Sequence, residues 1–364
     1  MKFLSRLDRY IIGKYLGTYF FSIALIITIA VVFDFNEHID QFVESKAPLK
    51  AILLDYYLNF IPYYSNLFSQ LFVFISVIFF TSKLAENTEI IAMISSGVTT
   101  SRLLRPYIIS AAIICGLSWY LGAYTIPKGN VKRVKFENTY KRRKRVTSAS
   151  NVQLMVDHGV VAYIARYENA SKTGYDFTLD KFVDKQLVSH MQASIVEYDT
   201  LSEEPGHWIV KNYQIRDVDG LKEKITRGER LDTALNMQPQ DFLITRDQQT
   251  TLTTPELKQY IDRQKERGFA NIQTFEVEYY QRSASAFAAF ILTIIGFSLS
   301  AKKRKNGLGI SLGAGLALSL IYIMFQTVSS SFAVKANMEP MLAIWLPNIV
   351  FTLIAVYCYR FAPR

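Results

Sequence analysis

The sequence predicts a membrane α-helical protein with six transmembrane helices and one inserted all-β domain. Half of the 364 residues are hydrophobic, and they concentrate in six apolar runs. Each run approaches or exceeds the roughly 20 residues that a helix needs to cross a bilayer. A long polar stretch with alternating apolar residues, typical of β-strands, separates the third run from the fourth. The runs cover residues 15–33, 51–80, 103–124, 283–301, 308–333 and 341–359.

The distribution of Lys and Arg predicts the orientation of the helices, because short cytoplasmic loops are enriched in basic residues. If the N-terminus is inside, the inner segments carry Lys2, Arg6, Arg9, Lys14, Lys83, Arg102, Arg105, Lys302, Lys303, Arg304, Lys305, Arg360 and Arg364. The two short outer loops carry only Lys46, Lys50 and Lys335. This bias places both termini in the cytoplasm and the long polar stretch outside.

The chain is therefore divided into three parts. Residues 1–125 hold the first three helices, residues 126–275 the external β domain, and residues 276–364 the last three helices. The first run follows a charged start without a small-residue cleavage site, which predicts a retained helix rather than a signal peptide. The second run is too long for an upright span, so we expect it to tilt or to begin outside the bilayer, with Pro62 allowing a kink.

A short amphipathic segment joins the second and third spans. Residues 84–97 are predicted to form a helix that stops at Gly97. Glu86 and Glu89 lie together at one edge of an apolar stripe, which consists of Ile90, Met93 and Ile94. A stripe on so short a helix is expected to dock on something. The segment is either a turn that lies on the membrane surface or a coupling helix that binds a separate motor protein.

Basic residues follow the third span in unusual number. Nine lie between Lys128 and Arg145, opposed by Glu137 alone, on the side where the charge rule disfavours them. They form either a solvated basic face or an electropositive rim for an anionic ligand, since Arg binds phosphate through its planar fork. The candidates for phosphate binding are Lys132, Arg133 and Lys135.

The long polar stretch predicts short antiparallel strands. Alternating runs cover residues 160–167, 177–183, 194–198, 208–215 and 224–226. Turn residues separate these runs, which is typical of an antiparallel sandwich or jelly roll. One helix is predicted afterwards at about 254–267, with Thr254 as its cap and Pro255 at its first position.

The last three runs carry two further patterns. Glu278 and Arg282 precede the fourth span at the spacing of a helical ion pair. The fifth span opens with small residues in two stripes, Gly307, Ser311, Gly315 and Ser319 in one, and Gly309 and Gly313 in the other. Such a helix packs closely against its neighbours, and the two stripes favour either ordinary packing or a moving interface.

The sequence lacks the motifs of an enzyme. It has no phosphate-binding GxxxxGK[ST] loop, no HExxH and no CxxC, and its four histidines are scattered. Cys115 and Cys358 both fall inside spans, so neither a disulfide nor a metal site is predicted. Ionisable residues that a proton-driven carrier would need are nearly missing from the spans. A transporter of this kind must obtain energy from another subunit, which favours the coupling interpretation of residues 84–97.

Five segments resemble one known family. They are Leu7-Asp-Arg-Tyr-Ile11, the segment 86–97, the pair Pro127 and Gly129, the Glu278-x-x-x-Arg282 pair, and the passage Arg304–Gly315. In these the chain resembles the LptF/LptG (YjgP/YjgQ) permeases of the lipopolysaccharide-export ABC transporter. The Glu-Ile-x-x-Met-x-x-x-Gly pattern is the most specific of them, and the start of the chain is closer to LptG. The run Lys141–Arg145 is not part of the resemblance.

The resemblance implies a half-permease of the bacterial inner membrane with a periplasmic jelly roll. It would pair with a second LptF/LptG-type permease, bind an LptB ATPase dimer, and pass lipopolysaccharide to LptC-type and LptA-type periplasmic proteins, without a cofactor or nucleic acid. The implied coupling residues are Glu86, Glu89 and Met93. The implied ligands of lipid phosphate are Lys132, Arg133, Lys135 and Arg282. The implied lateral gate comprises Ile26, Gly307, Ser311, Gly315 and Ser319.

Two other functions fit the residues by themselves. The chain could be a membrane-anchored scaffold whose β domain binds a ligand, or an export permease for a different lipid. The segment 84–97 speaks against a scaffold, because a scaffold has no use for a cytoplasmic coupling element. Nothing in the sequence discriminates between lipids.

Overall fold

The computed structural model describes residues 5–141, 148–200, 206–220, 222–239, 248–266, 272–301, 307–336 and 338–361. The chain divides into two compact units. The first is helical and comprises residues 1–142, 249–255 and 273–364, and the second comprises residues 143–248 and 256–272. The sequence placed the start of the β domain at residue 126, whereas the helical unit extends to residue 142.

Within the described residues, six helical segments of the first unit are long and apolar enough to cross a membrane, as the six apolar runs predicted. An inserted antiparallel sheet was also predicted, and it is confirmed by the second unit. The helices of the first unit are α1 (Arg6–Glu44), α2 (Leu49–Ala51), α3 (Leu58–Leu67), α4 (Ser69–Glu86), α5 (Glu89–Ser95), α6 (Thr100–Tyr120), α7 (Ile126–Tyr140), α9 (Gln273–Ser300), α10 (Gly307–Lys335) and α11 (Pro340–Arg360).

The helix α1 begins at a capping box. Ser5 accepts a hydrogen bond from the backbone N–H of Asp8, and the Asp8 carboxylate accepts one from the backbone N–H of Ser5. This exchange satisfies donors that a helix start otherwise leaves without partners. The helix then continues through its apolar run for 39 residues.

The second apolar run is divided rather than simply tilted. The turns over Ile52–Tyr57 are wound as a π-helix and lead directly into α3. Pro62 lies inside α3 without ending it, and the break falls at Phe68, before α4 begins. The candidate span of this run is therefore Ser69–Glu86 alone.

The core of the helical unit lies around α4 and α9. These are the two spans most buried within the chain, whereas α1 is the least buried. Side chains such as Phe74, Val77, Leu292 and Phe297 are fully enclosed there, together with residues of α1, α6, α10 and α11. The burial of α4 and α9 explains why the other spans present long apolar faces outward.

The second unit is a six-stranded antiparallel sheet in which each strand pairs with the next along the chain. Its strands are β1 (Ser148–Asp157), β2 (Val160–Glu168), β3 (Thr173–Val183), β4 (Gln186–Tyr198), β5 (His207–Asp219) and β6 (Lys222–Ala234). One face of the sheet buries Trp208, whose indole N–H donates to the carbonyl of Met237 at 3.0 Å. The helix α8 (Thr254–Glu266) follows the sheet and starts at Thr254 as predicted.

Candidate functional site

The segment predicted as one coupling helix is two helices in the structure. Glu86 ends α4 and Glu89 begins α5, with Asn87 and Thr88 between them. Thr88 has a φ of +62°, a left-handed conformation that is uncommon for a β-branched residue and breaks the helix there. Glu86 is exposed and Glu89 is half-buried, where it accepts a hydrogen bond from the Asn87 amide at 3.3 Å.

The apolar stripe of α5 packs into the chain's own helical core. Ile90 is 1 % exposed, and the half-buried Met93 and Ile94 lie against the same cluster. Ile90 is therefore enclosed by the chain itself, while Met93 and Ile94 pack on the same cluster with part of each side chain still exposed. The outer face of α5 carries Glu89 at its edge and the exposed Ile91. Met93 lies between this outer face and the core, with part of its side chain exposed.

The basic segment lies on α7 and has two faces. Lys128, Lys132 and Lys135 are exposed, and their spacing of four and three residues places them on one side of the helix. Arg133 points the other way and is 7 % exposed. The exposed cations form a surface that an anionic group can reach, which we call the lysine face (Lys128, Lys132 and Lys135). Of the three phosphate ligands predicted on α7, Lys132 and Lys135 belong to the lysine face and Arg133 does not.

Arg133 is instead packed between α3 and α7. Its guanidinium carbon lies 4.1 Å from the centroid of the Tyr63 ring, and its Nε lies 4.0 Å from an oxygen of the buried Glu137. Stacking on an aromatic face suits arginine better than lysine. On the same helix, Gly129 allows the close approach of α3, since a Cβ there would lie 2.6 Å from Oδ1 of Asn59. These contacts fix the rotation of α7 and leave its lysine face exposed.

Arg282 is also occupied by the chain itself. Its side chain is 6 % exposed, and its Nε donates to Glu278 at 3.0 Å, which confirms the predicted ion pair. The other nitrogens donate to Oγ1 of Thr254 at 3.0 Å and to the carbonyls of Gln249 and Leu252. Arg282 thereby holds the segment that leads back to the helices, and it does not present its fork to a lipid phosphate.

Lys141 begins the second basic run and lies in an aromatic cluster. Its Nζ donates to the hydroxyl of Tyr56 at 2.5 Å and lies 3.9 Å from Asp34. Asp34 also accepts hydrogen bonds from Tyr56 and Tyr57, at 3.0 Å and 3.1 Å. Lys141 thus anchors the end of α7, and residues 142–145 of the run lie outside the described part of the chain.

At Gly315 and Ser319, the two positions whose side-chain surroundings are described, the small-residue stripe of α10 faces the interior of the helical unit. A Cβ on Gly315 would overlap Cδ1 of Ile78 and lie 3.3 Å from Phe74, both on α4. Ser319, one turn later, is 1 % exposed. The side-chain surroundings of Gly307 and Ser311 lie outside the described part of the structure. The expectation that Ser319 faces another chain is therefore not supported, because this face of α10 packs on the chain's own α4.

A different face of α10 is exposed, and so is most of α1. On α1, Ile26 is 38 % exposed, and it lies in an apolar surface that extends from Phe20 to Phe33. On α10 the exposed large apolar side chains among the described residues are Leu316, Leu320, Ile321, Met324, Val328, Phe332 and Val334. These two surfaces contact lipid or another protein, because apolar faces of this size are not left in water.

The ion pair between Asp8 and Arg102 could not be predicted from the sequence. Asp8 is 3 % exposed, and both of its oxygens accept hydrogen bonds from Arg102, at 2.7 Å each. Asp8 lies in the segment Leu7–Ile11, which carries part of the family resemblance, but its partner lies 94 residues away. No local spacing links two such distant residues, so only the fold brings them together.

Among the described residues, the predicted site residues that remain accessible lie on three surfaces: the outer face of α5, the lysine face of α7, and the apolar faces of α1 and α10. A family model with the description lipopolysaccharide export system permease LptF/LptG matches residues 9–360 of the chain. The match extends across all three surfaces and the sheet. Among curated proteins, none matches the chain significantly.

Proposed function

The chain belongs to the LptF/LptG family of lipopolysaccharide export permeases, and on that premise we propose that it extracts lipopolysaccharide from the inner membrane. In this proposal a separate LptB-type ATPase dimer supplies the energy, and a second permease of the family completes the transporter. The β domain passes the lipid to LptC-type and LptA-type proteins of a periplasmic bridge. The observation that carries the proposal is the family match over residues 9–360.

The proposed orientation has both termini and α5 in the cytoplasm and the sheet in the periplasm. It is supported by the distribution of Lys and Arg between the short loops. Exposed aromatic residues at the opposite end of α6 from α5, Trp119, Tyr120 and Tyr124, are typical of a membrane–water interface. The start Leu7-Asp-Arg-Tyr10 favours the LptG position within the pair of permeases.

The ATPase is proposed to bind the outer face of α5. The stripe of α5 is held in the helical core, so a push on the outer face is transmitted to α4 and α6. Glu89 offers a half-buried carboxylate at the first turn of this helix, and it is the main candidate for a charged contact. Glu86 lies at the exposed end of α4 and is expected to contribute less.

The lysine face of α7 is proposed to attract the phosphate groups of the lipid. Lysine binds phosphate as a mobile point charge, and three of them on one side of a helix raise the local concentration of an anionic headgroup. Lys132 and Lys135 keep the role that the sequence suggested. Arg133 and Arg282 are assigned supporting roles, because each is buried and bound by the chain's own groups.

The lipid is proposed to enter sideways, between α1 of one permease and α10 of the other. The exposed apolar surfaces around Ile26 and around Leu320 support this assignment, since each needs an apolar partner. When the two surfaces separate, acyl chains can replace the protein contact without exposing apolar side chains to water.

Purification of the tagged chain in mild detergent tests the proposal. We expect an ATPase subunit, a second permease and lipopolysaccharide to purify with it, and the reconstituted complex to release lipid to a soluble acceptor only with ATP. If the chain purifies without an ATPase and releases no lipid, it is a membrane scaffold instead. If the complex hydrolyses ATP but transfers a different lipid, the family assignment holds and the substrate changes.

A further inference from the structure

The N-terminal part of α1 packs on its own chain, whereas the part that follows is mostly exposed. We call this packed part, residues 6–19, the foot of α1. Asp8, Ile11, Tyr15 and Tyr19 are buried and follow one face of the helix. The hydroxyl of Tyr15 is 2.9 Å from Oγ1 of Thr293, and that of Tyr19 is 2.7 Å from Oγ of Ser69. Between residues 20 and 33, by contrast, Ile27 is the one buried side chain.

The ion pair between Asp8 and Arg102 lies at this foot. The two nitrogens of the Arg102 fork donate to the two oxygens of Asp8, which also accepts from the backbone and side chain of Ser5. A bidentate pair fixes direction as well as distance, because both hydrogen bonds must stay in one plane. Rotation of Arg102 therefore carries the foot of α1 with it.

A short hydrogen-bonded turn connects α5 to the start of α6, where Arg102 lies. Arg102 is in the first turn of α6, where its backbone N–H donates to the capping hydroxyl of Thr99 at 3.3 Å. The helix α5 ends in a closed turn, with Gly97 at a φ of +89° and its N–H donating to Ile94 at 2.9 Å. The N–H of Val98 donates back to α5 as well. Because hydrogen bonds close this short connection, a displacement of α5 also moves the first turn of α6.

We propose that the Asp8–Arg102 pair is the positioning contact through which a displacement of α5 moves α1. The proposal rests on the proposed function, in which the ATPase binds α5 and α1 borders the lipid entry. Asp8 and Arg102 touch neither nucleotide nor lipid in this scheme. They transmit movement because the pair joins the end of the α5–α6 connection to the foot of a helix whose upper part is exposed.

The test compares ATP hydrolysis with lipid transfer in the complete transporter. Arg102→Gln and Asp8→Asn are reconstituted with the ATPase in vesicles that contain lipopolysaccharide, and lipid released per ATP is measured. We expect hydrolysis to stay within about twofold of the unaltered protein while lipid per ATP falls about fivefold or more, since about fivefold corresponds to the loss of a coupling free energy of about 1 kcal/mol. Arg105→Gln is the matched control, since Arg105 is exposed on the same helix and makes no ion pair with described residues.

Two further variants separate positioning from stability. Arg102→Lys keeps the charge but loses the fork, so lipid per ATP should be intermediate. Exchange of the charges, Asp8→Arg with Arg102→Asp, should restore part of the transfer that either single change removes. Melting temperatures are measured for each variant in detergent.

Three results would overturn the proposal, and they differ in what they show to be wrong. If hydrolysis and transfer fall together with the melting temperature, and the charge exchange restores neither, the pair is only structural and the proposal is wrong. The proposal is also wrong if Arg102→Gln transfers as much lipid per ATP as Arg105→Gln. If the unaltered complex itself transfers no lipopolysaccharide, the proposed function is wrong and the proposal for the pair, which rests on it, is wrong too; transfer that does not differ among the variants rejects the proposal for the pair alone.

Discussion

Gly315→Ala is expected to destabilise the helical unit, whereas Gly313→Ala, two residues earlier on α10, is not. A Cβ on Gly315 would overlap the tip of Ile78 and touch the ring of Phe74 at 3.3 Å, both within the core around α4. A Cβ on Gly313 would meet no atom within 4 Å. The two positions share one helix and one substitution, so they differ only in what the added methyl group contacts.

The magnitude follows from two opposing effects. Overpacking of a well-packed interior costs about 1–3 kcal/mol. Replacement of a helical glycine by alanine favours the helix by roughly 1 kcal/mol, because glycine loses more conformational freedom on folding. The second effect is common to both variants and cancels in their comparison. The free energy of unfolding of Gly315→Ala should therefore lie about 1–3 kcal/mol below that of Gly313→Ala.

Thermal unfolding of the purified chain in detergent measures this difference. A change of 1 kcal/mol shifts the midpoint by about 2–4 °C for a unit of this size, so Gly315→Ala should melt several degrees below Gly313→Ala. Equal midpoints, or the reverse order, would show that Gly315 is not packed on α4. The small-residue stripe would then be available for another chain, as the sequence suggested.

Three further predictions concern the proposed surfaces. Glu89→Lys should weaken co-purification of the ATPase, because Glu89 is proposed to face a basic group of the ATPase and a like-charge contact at an interface costs on the order of several kcal/mol. The double change Lys132→Glu and Lys135→Glu should lower lipid-stimulated ATP hydrolysis and spare basal hydrolysis, with a smaller loss at high salt, where exposed charges are screened. A cysteine at Leu320 should cross-link to mid-depth in the first helix of the partner permease and block lipid transfer until reduced, whereas one at Ser319 should not.

Matched variants control these predictions. Glu86→Lys should affect ATPase binding less than Glu89→Lys, and an intact, active complex with Glu89→Lys would refute the docking assignment. The paired change Lys222→Glu and Lys224→Glu alters exposed charges on β6 and should leave stimulation unchanged. If the double change on the lysine face also leaves lipid stimulation of ATP hydrolysis unchanged, Lys132 and Lys135 are only solvated charges. A Leu320 cross-link that forms without affecting transfer would exclude this seam as the lipid entry.

The sequence alone determined that there are six apolar spans, where the sheet is inserted and roughly where the helix at Thr254 begins, but not that the second apolar run is divided. Each of these depends on local information: the length of an apolar run, the alternation of side chains along a strand, or a capping residue before a proline. The ion pair of Glu278 and Arg282 was predictable for the same reason, since its spacing is one helical turn.

Only the tertiary structure decided which face of each helix is buried. Lys132 and Arg133 carry the same charge, so composition does not distinguish them. Their directions around α7 nevertheless differ by about 100°, and Arg133 packs on Tyr63. In the same way, Gly315 packs on α4 within the chain rather than at a boundary with another one. The Asp8–Arg102 pair joins residues that no sequence period relates. The physical reason is that helical spacing fixes which residues share a face, whereas burial of that face depends on neighbours that are distant along the chain.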